Sequence, residues 1–275
     1  MPSYRFCRPD DLALIVNAIN TCYQPHYPQQ PAVTSELLKE QMTLFGLRPG
    51  NCMVALEHRQ PIGVVISCKR DYGAWIQALG CQTAHQRQGI AAQLVEALIR
   101  KIAIQGAPDI TVDVREENTV ALQFFTSMGF QRRQRYVSYQ GSLTARSQDG
   151  YEVGPVAMAD VVTQYAACHM TAPCWERHVE TLAAYGETVQ SYGCFQQDIM
   201  QGYVVNRGHT ILDVGLLPSP DMLAVSAALL GHLYLAGITE VTLAKMPVDD
   251  PLCPVLEQYG LVPTAFHILM GQPLA

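Results

Sequence analysis

The sequence predicts an α/β (α+β) fold arranged as two tandem domains, and three observations carry that prediction. The chain has 275 residues, more than one small core requires and a natural length for two. Short β-branched or apolar runs alternate with longer segments of helical periodicity throughout. Landmarks of the first half also return at one fixed offset. Gly237-Ile-Thr-Glu-Val241-Thr-Leu243 lies 131 residues after Gly106-Ala-Pro-Asp-Ile110-Thr-Val112, and Tyr259-Gly260-Leu261 follows Met128-Gly129-Phe130 by the same distance. Such recurrence inside one element order points to duplication. The expected division is a first domain over 1–140, a polar linker rich in Gly and Ser over 141–150, and a second domain over 151–275.

The elements follow in order. Tyr4 to Pro9 reads as a short strand ended by proline, after which Asp10 or Asp11 caps a helix with Leu12, Ile15, Val16 and Ile19 on one face. Thr34 or Ser35 starts a second helix. Cys52 to Leu56 and Ile62 to Cys68 are apolar strands joined by a turn at His58-Arg59-Gln60-Pro61. Trp75 to Cys81 is the next strand, and Gly89 to Ile104 a long helix that stops near Gln105-Gly106. The β-branched run Ile110 to Val114 is a buried strand, Thr119 to Met128 a helix ended by Gly129, and Arg133 to Tyr139 a final strand. The order is β-α-α-β-β-β-α-β-α-β. Beyond the linker, Val153-Gly-Pro155 and a helix near Asp160 start it again. The strands around Gln201 to Val205 and Ile211 to Leu216 and the helix Asp221 to Leu235 continue it.

Bulk properties exclude several functions. Hydrophobic content of 49% with 15% charged residues is a globular composition. A net charge of −6 argues against a basic nucleic-acid face and against anionic membrane surfaces. No apolar run reaches the length of a spanning helix, and the N-terminus lacks the apolar core of a signal peptide. Nine cysteines then read as reduced thiols of a cytoplasmic protein.

The segment with the most chemistry is His85-Gln86-Arg87-Gln88-Gly89-Ile90-Ala91, between a strand and a helix N-terminus. The first backbone N–H groups of a helix lack internal partners, and the helix dipole favours an anion there. Gly89 and Ala91 keep side chains clear, so phosphate oxygens reach the backbone. The expected ligand bears phosphate, most simply a nucleotide-derived cofactor. A second marker, Asn118-x-x-Ala121-x-x-Phe124-Phe125-x-x-x-Gly129-Phe130, follows the Ile110 strand.

With Leu79-Gly-Cys81 before the loop, these motifs make residues 3 to 140 resemble the GCN5-related N-acetyltransferases, the GNAT family. The resemblance implies that each half is a mixed, mostly antiparallel sheet flanked by helices. It implies an acetyl-CoA-dependent N-acetyltransferase that moves an acetyl group directly to a primary amine. Acetyl-CoA would lie in a splay between the fourth and fifth strands, the fourth carrying a bulge. Leu79, Gly80 and Cys81 would pair with the pantetheine amides. Gln86, Arg87, Gln88, Gly89, Ile90 and Ala91 would hold the pyrophosphate, Arg87 adding a charge-assisted contact. Asn118, Ala121 and Phe125 would line the thioester end, and the backbone of Cys81 would donate to the oxyanion. Phe125 stands where the family commonly has a tyrosine that protonates the departing thiolate. Another donor or unassisted departure would have to serve, which a thiol pKa near 8.5 tolerates.

An amine attacks only when neutral, and deprotonating a lysine-like amine at pH 7 costs about 4 to 5 kcal/mol. The base candidates are Glu116, just after the fifth strand, and Glu36 on the second helix. Glu117, Glu40, Asp71 and Tyr72 also stand near the site; each of these six, Glu116 and Glu36 included, reads first as a solvated surface residue, so the base is unassigned, and His85 reads as part of the loop. The second half lacks the phosphate loop: Leu217-Pro-Ser-Pro-Asp221-Met222 has no glycine and puts a carboxylate where phosphate would sit. It is expected to be degenerate, unable to bind CoA in the usual way. Cys168, His169, Cys174 and His178 raise a zinc site, with Cys174 and His178 at i, i+4 on one helix face. Adjacent Cys168 and His169 suit a tetrahedral site poorly, so buried thiols and no metal are expected. The expected partner is a small-molecule or peptide amine, cationic or neutral given the acidic chain. No nucleic acid or membrane partner is expected, and a homodimer is allowed. The alternative function is a CoA- or metabolite-binding regulatory protein without turnover.

Overall fold

The computed structural model describes residues 2–144 and 150–274. Positions 145–149 of the expected linker therefore lie outside the described residues. The first half runs β1 (Ser3–Phe6), α1 (Leu12–Cys22), α2 (Ser35–Phe45), β2 (Met53–Glu57), β3 (Gln60–Arg70), β4 (Gly73–Cys81), α3 (Ile90–Ile104), β5 (Asp109–Arg115), α4 (Thr119–Ser127) and β6 (Gln131–Ser142). The second runs β7 (Glu152–Pro155), α5 (Met158–Cys168), α6 (Val179–Tyr185), β8 (Gln190–Gln196), β9 (Ile199–Arg207), β10 (Thr210–Leu216), α7 (Met222–Leu235), β11 (Glu240–Pro247), α8 (Leu252–Gln258) and β12 (Val262–Pro273). Both halves show the element order read from the sequence. The 131-residue offset carries β6 onto β12 residue for residue. Among the described residues, no helix is long and apolar enough to cross a membrane.

The chain forms two compact units that are not separated at a single point. One contains Met1–Val114, Asn118–Arg133 and Ile268–Ala275; the other contains Arg115–Glu117 and Gln134–His267. In the first unit β1 to β5 lie side by side in chain order, antiparallel except for the parallel pair β4–β5. Helix α3 buries Ile90, Leu94, Val95, Leu98 and Ile102, its i, i+4, i+8 stripe. These pack against Ile76, Val112, Phe125 and Phe130, with Ile268 and Met270 from β12 completing the cluster. Each such side chain withdrawn from water contributes roughly 1.5–3 kcal/mol. The second unit orders its strands β7-β8-β9-β10-β11-β6, antiparallel except for β10–β11. Helix α7 is buried nearly all round, as its Val225 to Leu230 run requires.

Local chemistry sets the boundaries. Thr34 caps α2 by accepting the Leu37 N–H at 3.2 Å. Asp11 precedes α1 but spends its carboxylate on the Arg8 N–H at 2.7 Å and on Arg5. His58 and Arg59 take left-handed φ values of 49° and 65°, which the tight β2–β3 turn demands. One expectation is corrected: Cys174 and His178 do not share a helix face. A short 3₁₀ turn at Trp175–Arg177 separates them, and His178 precedes α6, where its Nδ1 accepts the Glu180 N–H.

Candidate active site

The site begins with a failure of strand pairing. β4 and β5 pair in parallel only from Ala74↔Ile110 to Ile76↔Val112. On its other side β4 stays paired with β3 as far as Gly63↔Cys81. Between Ile76, opposite Ser67, and Ala78, opposite Ile66, Gln77 is the extra residue of a β-bulge. A bulge bends its strand and raises local twist, which turns the end of β4 away from β5. The edge from Gln77 to Cys81 that β5 no longer covers walls a cavity of about 740 Å³. At Gly80 the end of α1 lies against β4: a methyl group there would lie 2.3 Å from the Cys22 carbonyl oxygen. His26 Nε2 lies 2.9 Å from the Cys81 carbonyl oxygen, and the rings of Tyr23 and Tyr27 stand 4.7 Å apart at the same wall.

The loop into α3 supplies the second wall. Gly89 is the N-cap residue at φ 80°, and Arg87 is also left-handed at φ 62°. Left-handed residues beside an ordinary one turn successive N–H groups the same way, a concavity suited to anions. A methyl group on Gly89 would meet nothing within 4 Å, so this helix end is open to a ligand. No acidic residue occupies the first turn of α3. Gln86, Arg87, Gly89, Ile90 and Ala91 line the cavity. Gln88 does not; its amide donates to the Ala84 carbonyl at 3.2 Å.

The third wall is α4. Asn118 caps it, its Oδ1 accepting the Ala121 N–H at 3.0 Å, and Asn118, Ala121 and Phe125 all line the cavity. Phe125 is held edge-on between Phe124 and Phe130, at centroid distances of 5.1 and 5.2 Å. Leu79, Gly80 and Cys81 complete the set. Burial pushes the Cys81 thiol up to about 11, so it stays protonated at neutral pH.

The carboxylates are distributed differently. Glu36 lies exposed in the first turn of α2 and Glu116 forms an ion pair with Arg135 at 2.7 Å; neither lines the cavity. The carboxylate that does is Asp113 on β5, a residue that sequence reasoning passed over. The signal was present in the alternation of Ile110-Thr-Val-Asp-Val114, which puts Asp113 opposite the apolar face. Tyr23, His26 and Tyr27 were also missed, because they become neighbours of β4 only through tertiary packing.

The second unit contains the same splay with other contents. β10 and β11 pair only at Thr210↔Thr242 and Ile211↔Leu243, and Leu212 is the bulge residue. Here the gap holds the Arg177 guanidinium. Its Nε and Nη2 donate to Asp213 Oδ1 at 2.9 and 2.6 Å, Nη2 reaches the Val214 carbonyl at 3.3 Å, and Nη1 contacts Met246 Sδ on β11. Tyr203 donates to Asp213 Oδ2 at 2.8 Å, and His169 Nε2 approaches the same oxygen at 3.0 Å. The cavity beside it, lined by Val214, Leu216, Met222 and Leu252, measures about 10 Å³. Counted from the bulges at Leu212 and Gln77, Val214 and Leu216 correspond to Leu79 and Cys81; by the 131-residue offset, Met222 and Leu252 correspond to Ala91 and Ala121.

Comparison with known proteins bears on the fold that positions this site. The acetyltransferase (GNAT) family model matches residues 12–130, a segment that contains the splay, the loop and the Asn118 cap. A mycothiol acetyltransferase of Catenulispora acidiphila is 25% identical to the chain over 122 residues, 42% of this chain and 39% of that protein. N-alpha-acetyltransferase 30 of Schizosaccharomyces pombe is 31% identical over 97 residues, 33% of this chain and 64% of that protein. The chain thus spans less than two thirds of the length of these relatives. Among solved structures, a GCN5-related N-acetyltransferase of Sphaerobacter thermophilus superposes with a TM-score of 0.74 at 15% identity, over 99% of this chain and 96% of that one. A tandem GNAT protein from the clavulanic acid biosynthesis pathway gives 0.69 at 12% identity, over 100% and 99%. The chain as a whole therefore has the fold of a tandem GNAT protein. GNAT acetyltransferases take acetyl groups from acetyl-CoA to amine acceptors.

Proposed function

We propose that this chain is an acetyl-CoA-dependent N-acetyltransferase that acetylates a primary amine by direct transfer, with the chemistry in the first unit. The observation that carries the reading is the single cavity joining the uncovered edge of β4, the open N-terminus of α3 and the Asn118 cap. Leu79, Gly80 and Cys81 would pair with the pantetheine arm, as uncovered strand edges pair with extended amides. Gln86, Arg87, Gly89, Ile90 and Ala91 would hold the pyrophosphate through backbone N–H groups and the Arg87 side chain. Asn118, Ala121 and Phe125 would enclose the thioester end. Acetyl-CoA supplies a carbonyl activated by its thioester. Direct transfer is favoured over an acetyl-cysteine route because burial holds Cys81, the one thiol among the described residues lining the cavity, protonated. The second unit would not take CoA, its corresponding gap being filled by Arg177. The names of the relatives favour a small-molecule or peptide amine. All nine cysteines are free thiols, which supports a reducing, cytoplasmic compartment.

The test is release of free thiol from acetyl-CoA with a panel of a short peptide bearing a free N-terminus, a polyamine and an aromatic primary amine. Turnover on any of them, with an acetylated amine identified by mass, supports the reading. Micromolar acetyl-CoA binding without turnover on any amine would favour a regulatory CoA-binding protein. The lack of a hydroxyl at Phe125 makes that the competing reading.

A further inference from the structure

Resting on the acetyltransferase reading, we propose that Asp113 is the residue that receives the acceptor's ammonium group and takes its first proton. Three features of the first unit support this assignment. First, β4 and β5 separate immediately after Ile76 and Val112, so Asp113 is the first β5 residue beyond the last pair. Second, strand alternation fixes its face. Ile110, Val112 and Val114 belong to the cluster packed by α3, so Thr111 and Asp113 point the other way. That opposite face is the one covered by α1 and α2: Trp75 there meets Phe45 of α2 edge-on at 5.9 Å. The phosphate loop opens α3, so donor and acceptor approach the splay from different sides. Third, Asp113 is the only carboxylate among the described residues lining the cavity.

The step balances as follows. The amine enters as an ammonium ion and pairs with the carboxylate. One N–H proton passes to Asp113 and on to solvent, leaving a lone pair on nitrogen. The nitrogen attacks the thioester carbonyl; the N–C bond forms and the C–S bond breaks. CoA departs as a thiolate and takes the second N–H proton, while the third stays on the amide. Asp113 thus fixes the acceptor class as an amine protonated on arrival. It also sets a preference among such amines. Proton transfer to a carboxylate is less uphill from an α-amine, with a pKa of about 7.7–8.0, than from a lysine-type amine near 10.4.

The experiment compares wild type with Asp113→Asn and Asp113→Glu, using the best acceptor of the panel above. Asp113→Asn should lower kcat/KM for the amine by about 10²-fold or more, the usual range for loss of a proton acceptor. Acetyl-CoA binding should stay within about threefold, which also reports that the variant is folded. The pH profile separates a proton-transfer role from a structural one. Wild type, using ammonium with carboxylate, should be flat across neutral pH. The Asn variant, needing free amine, should gain tenfold per pH unit up to the amine's own pKa. Calorimetric titration of the amine into CoA-saturated protein should show at least tenfold weaker binding in the Asn variant, without reference to turnover. Asp113→Glu should restore part of the rate. If wild type turns over but the Asn variant keeps its rate and flat profile, the assignment of Asp113 fails and the acetyltransferase reading stands. If wild type acetylates nothing, both fall.

Discussion

The close approach of α1 to β4 makes a sharp prediction at Gly80. A methyl group there would lie 2.3 Å from the Cys22 carbonyl oxygen, 2.7 Å from the Cys22 carbonyl carbon and 2.7 Å from the Tyr23 Cα. Comfortable contacts between such atoms begin near 3.5 Å, so a gap of about 1 Å must open. All three of these neighbours are backbone atoms, so no side chain can swing aside. β4 is tied to β3 through Val64↔Gly80, and α1 is anchored by fully buried Ile15, Ala18 and Cys22. Overpacking of this kind costs about 1–3 kcal/mol, and the upper end applies where neither side yields. For a domain of this size that is a fall in Tm of roughly 6–12 °C. Moving Tyr23 or β4 also deforms the cavity wall, so acetyl-CoA should bind at least fivefold more weakly. The assay is thermal unfolding of Gly80→Ala with calorimetric titration of acetyl-CoA. Gly50→Ala is the control, since its methyl group would meet nothing within 4 Å. If Gly80→Ala melts and binds like Gly50→Ala, the close approach is not a feature of the protein.

Three further outcomes follow from the same structure. Arg87→Gly and Arg87→Ala both remove the loop cation and should raise the acetyl-CoA KM several-fold, less so at high salt; because φ is 62° at this position, the Gly variant should be more stable than the Ala variant by about 1 kcal/mol. Asp213→Asn leaves the buried Arg177 charge unbalanced and should cost about 3–5 kcal/mol by urea unfolding. Burial alone would raise the Asp213 carboxyl, but His169 and Arg177 outweigh it and hold it well below the usual range. Its contribution is therefore present above that range and lost as pH falls below it, so the Asn variant should lose less stability in acid than wild type does. Burial, then the Lys245 and Arg115 charges, push the His267 imidazole from 6.5 down to about 4. The unfolded chain then binds the extra proton, so stability is complete above pH 6.5 and falls as pH drops towards 4. Discounted for partial solvent screening, the fall is about 1–2 kcal/mol. His267→Gln should flatten that slope, and an unchanged slope would place its origin elsewhere.

The sequence carried the parts of this fold that are written locally. Periodicity located α3, α4 and the strands within a few residues, and Gly89, Gly106 and Gly129 marked helix ends where the backbone is left-handed. The cavity loop was legible for the same reason: a helix N-terminus opened by glycine is a property of adjacent residues. What depends on distant segments was not legible. Nothing in Ile268 to Met270 shows that these side chains complete the core beneath α3. Nothing near Glu116 shows that Arg135 will occupy its carboxylate. Nothing in Cys168 to His178 shows that His169 and Arg177 will meet Asp213, 44 and 36 residues away. Asp113 is the intermediate case, since its face was readable from strand alternation but its cavity was not.

The two splays separate what the fold imposes from what the ligand requires. Both parallel pairs stop after two or three residues, and both have a bulge at that point, at Gln77 in β4 and at Leu212 in β10. The divergence therefore belongs to the backbone design and does not by itself make a binding site. A divergent strand pair exposes peptide groups in the interior of a domain, and such groups must be paired. The second unit meets that requirement internally: Arg177 donates to the Val214 carbonyl, and its charge is balanced by Asp213. In the first unit the corresponding stretch, Leu79 to Cys81, borders open space. Filling the second gap required a buried arginine, a buried aspartate and large side chains at Met222 and Leu252. Keeping the first open required Ala91, Ala121 and Gly89. These small residues at the mouth of the gap, more than the splay itself, distinguish the half proposed to take acetyl-CoA.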